Sequence, residues 1–214
     1  MIVCNQKQVI AAVEAIGATV SAQKDYLTDL DAKIGDADHG INLNRGFEAV
    51  LAKLPAVADQ SIGDILKTVG MTLVSTVGGA SGPLYGTAFM YAGNQAVGKF
   101  ELTGTDIATM FQAALDGVIK RGHAEVGDKT MVDTLQPVVV FLQSAATENS
   151  LPWDEVMRQA VTIAKQGMES TVSLVALKGR ASFLKERSVG HPDPGSVSCY
   201  LMIETIAAVA GNRG

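Results

Sequence analysis

Along almost the whole of this chain, apolar residues return every three or four positions, and that rhythm points to a helical architecture. Residues 61–77 show it best: Ile62, Ile65, Leu66, Val69, Leu73 and Val77 share one stripe, with Asp64, Lys67 and Thr68 elsewhere. Strand signals are poor. Residues 138–141 and 171–175 are β-prone, but each lies inside a longer helical pattern. Helix starts are marked as well. Ser61 with Asp64, and Thr130 with Asp133, have capping-box spacing, and Pro152 precedes Asp154 and Glu155, which suit the positive end of a helix dipole. These signals predict eight helices, near 5–29, 40–54, 61–77, 82–98, 104–121, 132–147, 152–174 and 195–211. Long helices with short connections pack antiparallel, so the expected fold is one all-α up-and-down barrel or bundle over residues 1–214.

Composition narrows the function classes. With 47% hydrophobic and 18% charged residues, the chain can bury a full core, which excludes disorder. A net charge of −5 without a basic run argues against nucleic acid. No apolar stretch reaches the roughly 18 residues that a membrane span needs, and the amino terminus lacks a signal-peptide pattern. Cys4 and Cys199 cannot make a disulfide framework. A cytoplasmic protein is expected.

Four connections, at 30–42, 78–86, 121–131 and 178–195, hold most of the unusual Gly, Asp, His and Pro residues. In an up-and-down bundle alternate connections share an end, and these four are alternate ones. One rim is therefore expected to carry the chemistry.

The first connection holds Asp31, Asp36 and Asp38 within eight positions, among glycines. Asp36 and Asp38 project to one side of an extended segment. Like charges held together need cations or protons, and an oxygen-only set suits Mg²⁺, Mn²⁺ or Ca²⁺ rather than zinc. An EF-hand fails, because Ile41 and Phe47 stand where its Gly and Glu belong. The plain competitor is a solvated acidic turn capping the next helix. His39, taken alone, reads as a turn residue or hydrogen-bond partner.

The second connection, Gly78-Gly79-Ala80-Ser81-Gly82-Pro83-Leu84-Tyr85-Gly86, feeds a helix start with exposed backbone amides, which suits an anion. It is not a Walker A loop, and its glycines could instead serve close helix packing. The third, residues 121–131, could be a solvated connection. In the fourth, Arg180 is the best anion partner, with a surface ion pair as the plain alternative. Acidic cluster, glycine loop and arginine together are the parts of a phosphoryl-transfer site. Three carboxylates plus a nucleotide diphosphate call for two Mg²⁺ rather than one.

These motifs, with Gly127-Asp128-Lys129-Thr130-Met131-Val132-Asp133, Gly179-Arg180-Ala181-Ser182 and His191-x-Asp193-x-Gly195, resemble the nucleotide-binding L subunit of dihydroxyacetone kinase, almost end to end and in order. The resemblance implies an eight-helix antiparallel barrel with ADP or ATP and two Mg²⁺ at one rim. It implies Asp31, Asp36 and Asp38 as metal ligands. His39, Gly40, Ile41 and Asn42 would line the phosphates with Ala80 and Ser81. Gly122 and Met131 would lie near the adenine and ribose, and Arg180, Asp193, Pro194 and Gly195 would close the pocket. It assigns no catalytic residue here, because the triose is bound to a histidine of a separate K subunit. A phosphohistidine carrier, the M subunit, would recharge the ADP, as in the phosphotransferase-system form. His123 and His191 receive no role, and whether the barrel interior holds a lipid stays open. Alternatives are the L subunit of a two-chain ATP-dependent ketose kinase, a fatty-acid kinase architecture, and a non-catalytic nucleotide-sensing module.

Overall fold

The computed structural model describes residues 2–148 and 150–211. In order they form β1 (Ile2–Asn5), α1 (Gln6–Ala22), α2 (Lys24–Ile34), α3 (His39–Lys53), α4 (Ile62–Thr76), α5 (Ser81–Asn94), β2 (Glu101–Thr103), α6 (Gly104–Gly122), α7 (Met131–Glu148), α8 (Trp153–Ser170) and α9 (Pro194–Gly211). Turns of 3₁₀ helix lie at Leu54–Val57, Thr171–Ser173 and Arg180–Ser188. The fold is all-α apart from one small ribbon, as the apolar rhythm predicts.

Helix starts follow local chemistry. The Asn5 side chain accepts from Gln8 N–H while the Gln8 side chain accepts from Asn5 N–H, a reciprocal cap of α1. Ser61 Oγ accepts from Asp64 N–H at α4, and Thr103 with Asp106 caps α6 reciprocally. Thr130 and Asp133 also meet, in a different pattern: the Asp133 carboxylate accepts from the Thr130 and Gly127 amides. The predicted connection near 148–152 includes residue 149, which lies outside the described residues.

Each helix from α3 to α9 packs on the next, and α9 returns to α1, which packs on α3. The ring closes into a barrel whose core gathers Val13, Ile16, Leu43, Phe47, Leu73 and Leu142, all nearly inaccessible to solvent. No helix among the described residues is long and apolar enough to cross a membrane.

Two departures from the expected elements matter. The first helix, expected over 5–29, breaks at Gln23 (φ −100°, ψ 6°) and resumes as α2, which runs on to Ile34. Ile34 is buried with Ala176 and Ala181 in a small second core beneath the rim, so burial extends α2 past its expected end. The other is the antiparallel ribbon, in which β1 pairs with β2 (Cys4 with Leu102, Asn5 with Glu101). Strands this short leave almost no period in sequence.

Candidate metal and phosphate site

Asp31 lies in the last turn of α2, Asp36 in the connecting loop, and Asp38 at the N-cap of α3. One oxygen from each carboxylate falls within 4.8 Å of the others. The loop folds back because Asp31 organises it. Its Oδ2 accepts from the Asp38 amide at 2.9 Å and the His39 amide at 3.2 Å, while its carbonyl accepts from Gly35 N–H at 2.6 Å. Asp31 thus caps α3 from seven residues away. Ala37, between the other two aspartates, takes φ +60°, a left-handed conformation that costs an alanine about 1 kcal/mol. Gly40 allows close approach: a Cβ there would lie 2.0 Å from the Lys24 carbonyl oxygen.

His39 ties three rim segments together. Its ring is buried, with Nδ1 3.0 Å from Ser81 Oγ and Nε2 2.9 Å from Ser198 Oγ. Ser198 Oγ is in turn 2.6 Å from the Tyr85 hydroxyl, which donates to the Gly195 carbonyl at 3.2 Å. Burial lowers the pKa of the imidazole, against the opposing pull of Asp31 and Asp38. The hydrogen-bond reading of His39 therefore describes its ring, and Ser81 is drawn beside the acidic loop. Buried Asn42 holds the next turn in place: its Oδ1 accepts from Arg45 at 2.7 Å, and Arg45 Nε donates to the Thr76 carbonyl. Ile41 projects outward, half exposed.

The glycine segment divides its work. Gly82 and Gly86 serve packing, since a Cβ on either would lie 2.4 Å from Val77 or Val74 atoms. Gly79 has φ +64° with open space around it. Beyond it Ala80 and Ser81 begin α5 without a side-chain cap, leaving first-turn amides available to an anion. The packing reading therefore holds for Gly82 and Gly86.

Arg180 reaches across the rim, its Nε 2.8 Å from Asp36 Oδ2, so the fourth loop meets the acidic one. Asp193 caps α9, accepting from Ser196 N–H at 2.7 Å, ahead of buried Pro194 and of Gly195. Gly195 abuts Met131, the first residue of α7, and Gly122 at the end of α6 abuts Leu84 of α5. All four unusual connections meet at one rim. Tyr85, Arg45 and Ser198 are the structural members that sequence reasoning left without a role. Tyr85 lies in the glycine segment and the other two in no motif, and each makes a bond to a different helix that spacing along the chain does not reveal.

The donor set, an oxygen-only cluster beside an uncapped helix start and a guanidinium, would suit a hard divalent ion together with an anionic group. The comparisons with known proteins agree with that chemistry. The DAK2 domain family matches residues 33–208. The chain is 47% identical over 207 residues to the PEP-dependent dihydroxyacetone kinase ADP-binding subunit of Escherichia coli K12, covering 96% of this chain and 98% of that one. It is 43% identical over 196 residues to the ADP-binding subunit of PEP-dependent dihydroxyacetone kinase 2 of Listeria innocua, covering 91% and 90%. Among solved structures, the dihydroxyacetone kinase of C. freundii in complex with AMP-PNP and Mg²⁺ superposes with a TM-score of 0.69 at 26% identity, over 97% of this chain and 34% of that longer one. With the match spanning most of the sequence, and both relatives aligned along nearly their full lengths and named as dihydroxyacetone kinase subunits, this chain belongs to the DAK2 domain family.

Proposed function

We propose that residues 1–214 form the ADP-binding subunit of a cytoplasmic dihydroxyacetone kinase. In this reading the bound nucleotide is phosphorylated in place by a phosphohistidine carrier subunit. It then passes the phosphoryl group to dihydroxyacetone held covalently on a K subunit, giving dihydroxyacetone phosphate. The observation that carries the reading is the meeting of Asp31, Asp36 and Asp38 with Ser81 and Arg180 on one rim.

The resemblance supplies the residue roles, and the meeting of these segments on one rim supports them. Asp31, Asp36 and Asp38 would hold two Mg²⁺, which supply charge neutralisation to a diphosphate. The backbone of His39, Gly40, Ile41 and Asn42 at the start of α3, with Ala80 and Ser81 at the start of α5, would face the phosphates. Gly122 and Met131 would border the adenine and ribose, and Arg180 with Asp193, Pro194 and Gly195 would close the pocket. The rim also exposes Ile41, Val126, Leu177 and Phe183, apolar surface that suits the approach of protein partners. An open apolar cavity of about 200 Å³ extends into the barrel, lined by Val13, Ile16, Phe89, Met110, Leu135 and Ile203 among others, and we assign it to a lipid chain.

Asp36→Ala tests the reading. The substitution removes charge at the rim and no core packing, so the variant should melt close to wild type and lose bound ADP on purification. Mass spectrometry of the undenatured protein reads this directly. A variant that keeps ADP at full stoichiometry sinks the proposal.

A further inference from the structure

Lys129 has no part in the site as described so far, yet it is among the most buried large side chains of the protein, 1% exposed. Its backbone takes φ +62°, which turns the side chain inward from the α6–α7 connection. The ammonium donates to three backbone carbonyls: Thr171 at 2.5 Å, His191 at 2.6 Å and Leu174 at 3.1 Å. All three donor positions of a lysine are thereby used. None of the ion pairs among the described residues includes Lys129; Asp193 and Asp133 act on it only at longer range.

The three carbonyls lie at the two feet of one strap, residues 171–191, that rises from the end of α8 and returns to the start of α9. The strap carries Arg180, and its second foot leads into Asp193-Pro194-Gly195. Other ties hold the strap as well: Gly190 N–H to the Val172 carbonyl at 2.8 Å, Ala176 N–H to Ser188 Oγ at 2.9 Å, Leu177 N–H to the Asp128 carbonyl at 3.1 Å, Asp193 N–H to Thr171 Oγ1 at 3.1 Å, the Lys178–Asp128 and Arg180–Asp36 ion pairs, and the packing of Ala176 and Ala181 on Ile34. The strap's backbone is poorly disposed to hold itself, with Gly179 at φ +62° and Lys185 at φ +52°, ψ −128°. To these ties the Lys129 ammonium adds one that joins backbone carbonyls of both feet at once.

We propose that Lys129 is a positioning residue for the nucleotide rim: by fastening both feet of the 171–191 strap it sets where Arg180 and Asp193-Pro194-Gly195 stand, and so how long a nucleoside diphosphate is held. The nucleotide half of this statement rests on the function proposed above. The strap half does not.

The test uses the full chain and two variants. Lys129→Met keeps the aliphatic stem and removes the donors. Lys129→Gly suits the left-handed backbone and leaves a socket that propylammonium can enter. In ligand-free protein, hydrogen exchange at the Ala176, Leu177 and Gly190 amides should quicken roughly ten- to a hundredfold, the size expected for losing hydrogen bonds to a charged group. Amides of α4 should not change. Release of ADP in the presence of Mg²⁺ should accelerate by a similar factor, and propylammonium should slow it again in Lys129→Gly but not in Lys129→Met. A purely structural role would not show that selective rescue. Unchanged strap exchange, or a loosened strap with wild-type ADP release, overturns the proposal. Failure of both variants to fold also overturns it, because Lys129 would then hold the barrel rather than the strap. A wild-type chain that binds no ADP sinks the nucleotide reading at the control, before any variant is compared.

Discussion

Asp193 shows how much a single residue's surroundings alter what its type suggests. From sequence it is an aspartate between two prolines, ionised at neutral pH. In place, burial pushes its pKa up to about 7 and Asp133 adds to the rise, while the Ser196 amide and Lys129 oppose it. The consequence for stability has a definite sign. Between the ordinary value of 3.8 and about 7 the folded carboxyl holds a proton that the unfolded one has lost. Its contribution is therefore complete below pH 3.8 and disappears as pH rises through about 7. Asp193→Asn keeps an oxygen for the Ser196 amide and removes the titration. Urea unfolding from pH 5 to 8 should show the wild type losing stability more steeply than the variant, and parallel slopes would contradict this account. Sequence made the carboxylates at 31, 36 and 38 legible as a group because two loop neighbours and a helix end lie close along the chain. It could not show that Asp31 spends one oxygen on the Asp38 and His39 amides, since that follows from the loop's return.

Among elements, the seam between α4 and α5 is the most tightly specified. Gly63 and Gly93 oppose one another, as do Gly70 and Gly86. A Cβ at Gly70 would lie 2.5 Å from the Gly86 carbonyl oxygen and 2.9 Å from the Met90 amide nitrogen. Alanine favours an isolated helix over glycine by about 1 kcal/mol, but the obstacle here is backbone, which cannot rotate aside. Gly70→Ala should destabilise the fold by about 1–3 kcal/mol, read as a lower urea midpoint with unchanged slope. An unchanged or raised midpoint would mean the two helices slide apart at little cost. The helical pattern of α4 was plain in sequence, but its glycines were silent there, because close approach is a property of two helices together. The break at Gln23 was hidden for the same reason: residues 5–29 carry one apolar rhythm, and only Ile34 in its distant socket draws the second half onward.

At the scale of the molecule, eight packed positions close a ring around an apolar space larger than the roughly 150 Å³ at which an engineered apolar cavity stays dry and takes up benzene or xenon. We expect native mass spectrometry of the purified protein to show added mass that organic extraction releases as lipid. Extraction that recovers none, from protein never exposed to detergent, would remove that assignment. The ring also explains why the four unusual connections share one rim. Alternate connections share an end, so the count of helices by itself sends the loops at 30–42, 78–86, 121–131 and 178–195 to meet.

The chain's own order of residues was enough to read the helical class, the four unusual loops, their common rim and the acidic trio. Those properties depend on spacing and turn chemistry within a few residues, which any short window preserves. What needed the folded barrel were the pairings across it: His39 bridging Ser81 and Ser198, Tyr85 reaching Gly195, Lys129 under the strap, and the apolar cavity. His39 and Ser198 are 159 residues apart, and nothing along the chain measures such a distance. Only close packing of helices that bury their apolar stripes against one another brings those groups within hydrogen-bonding reach.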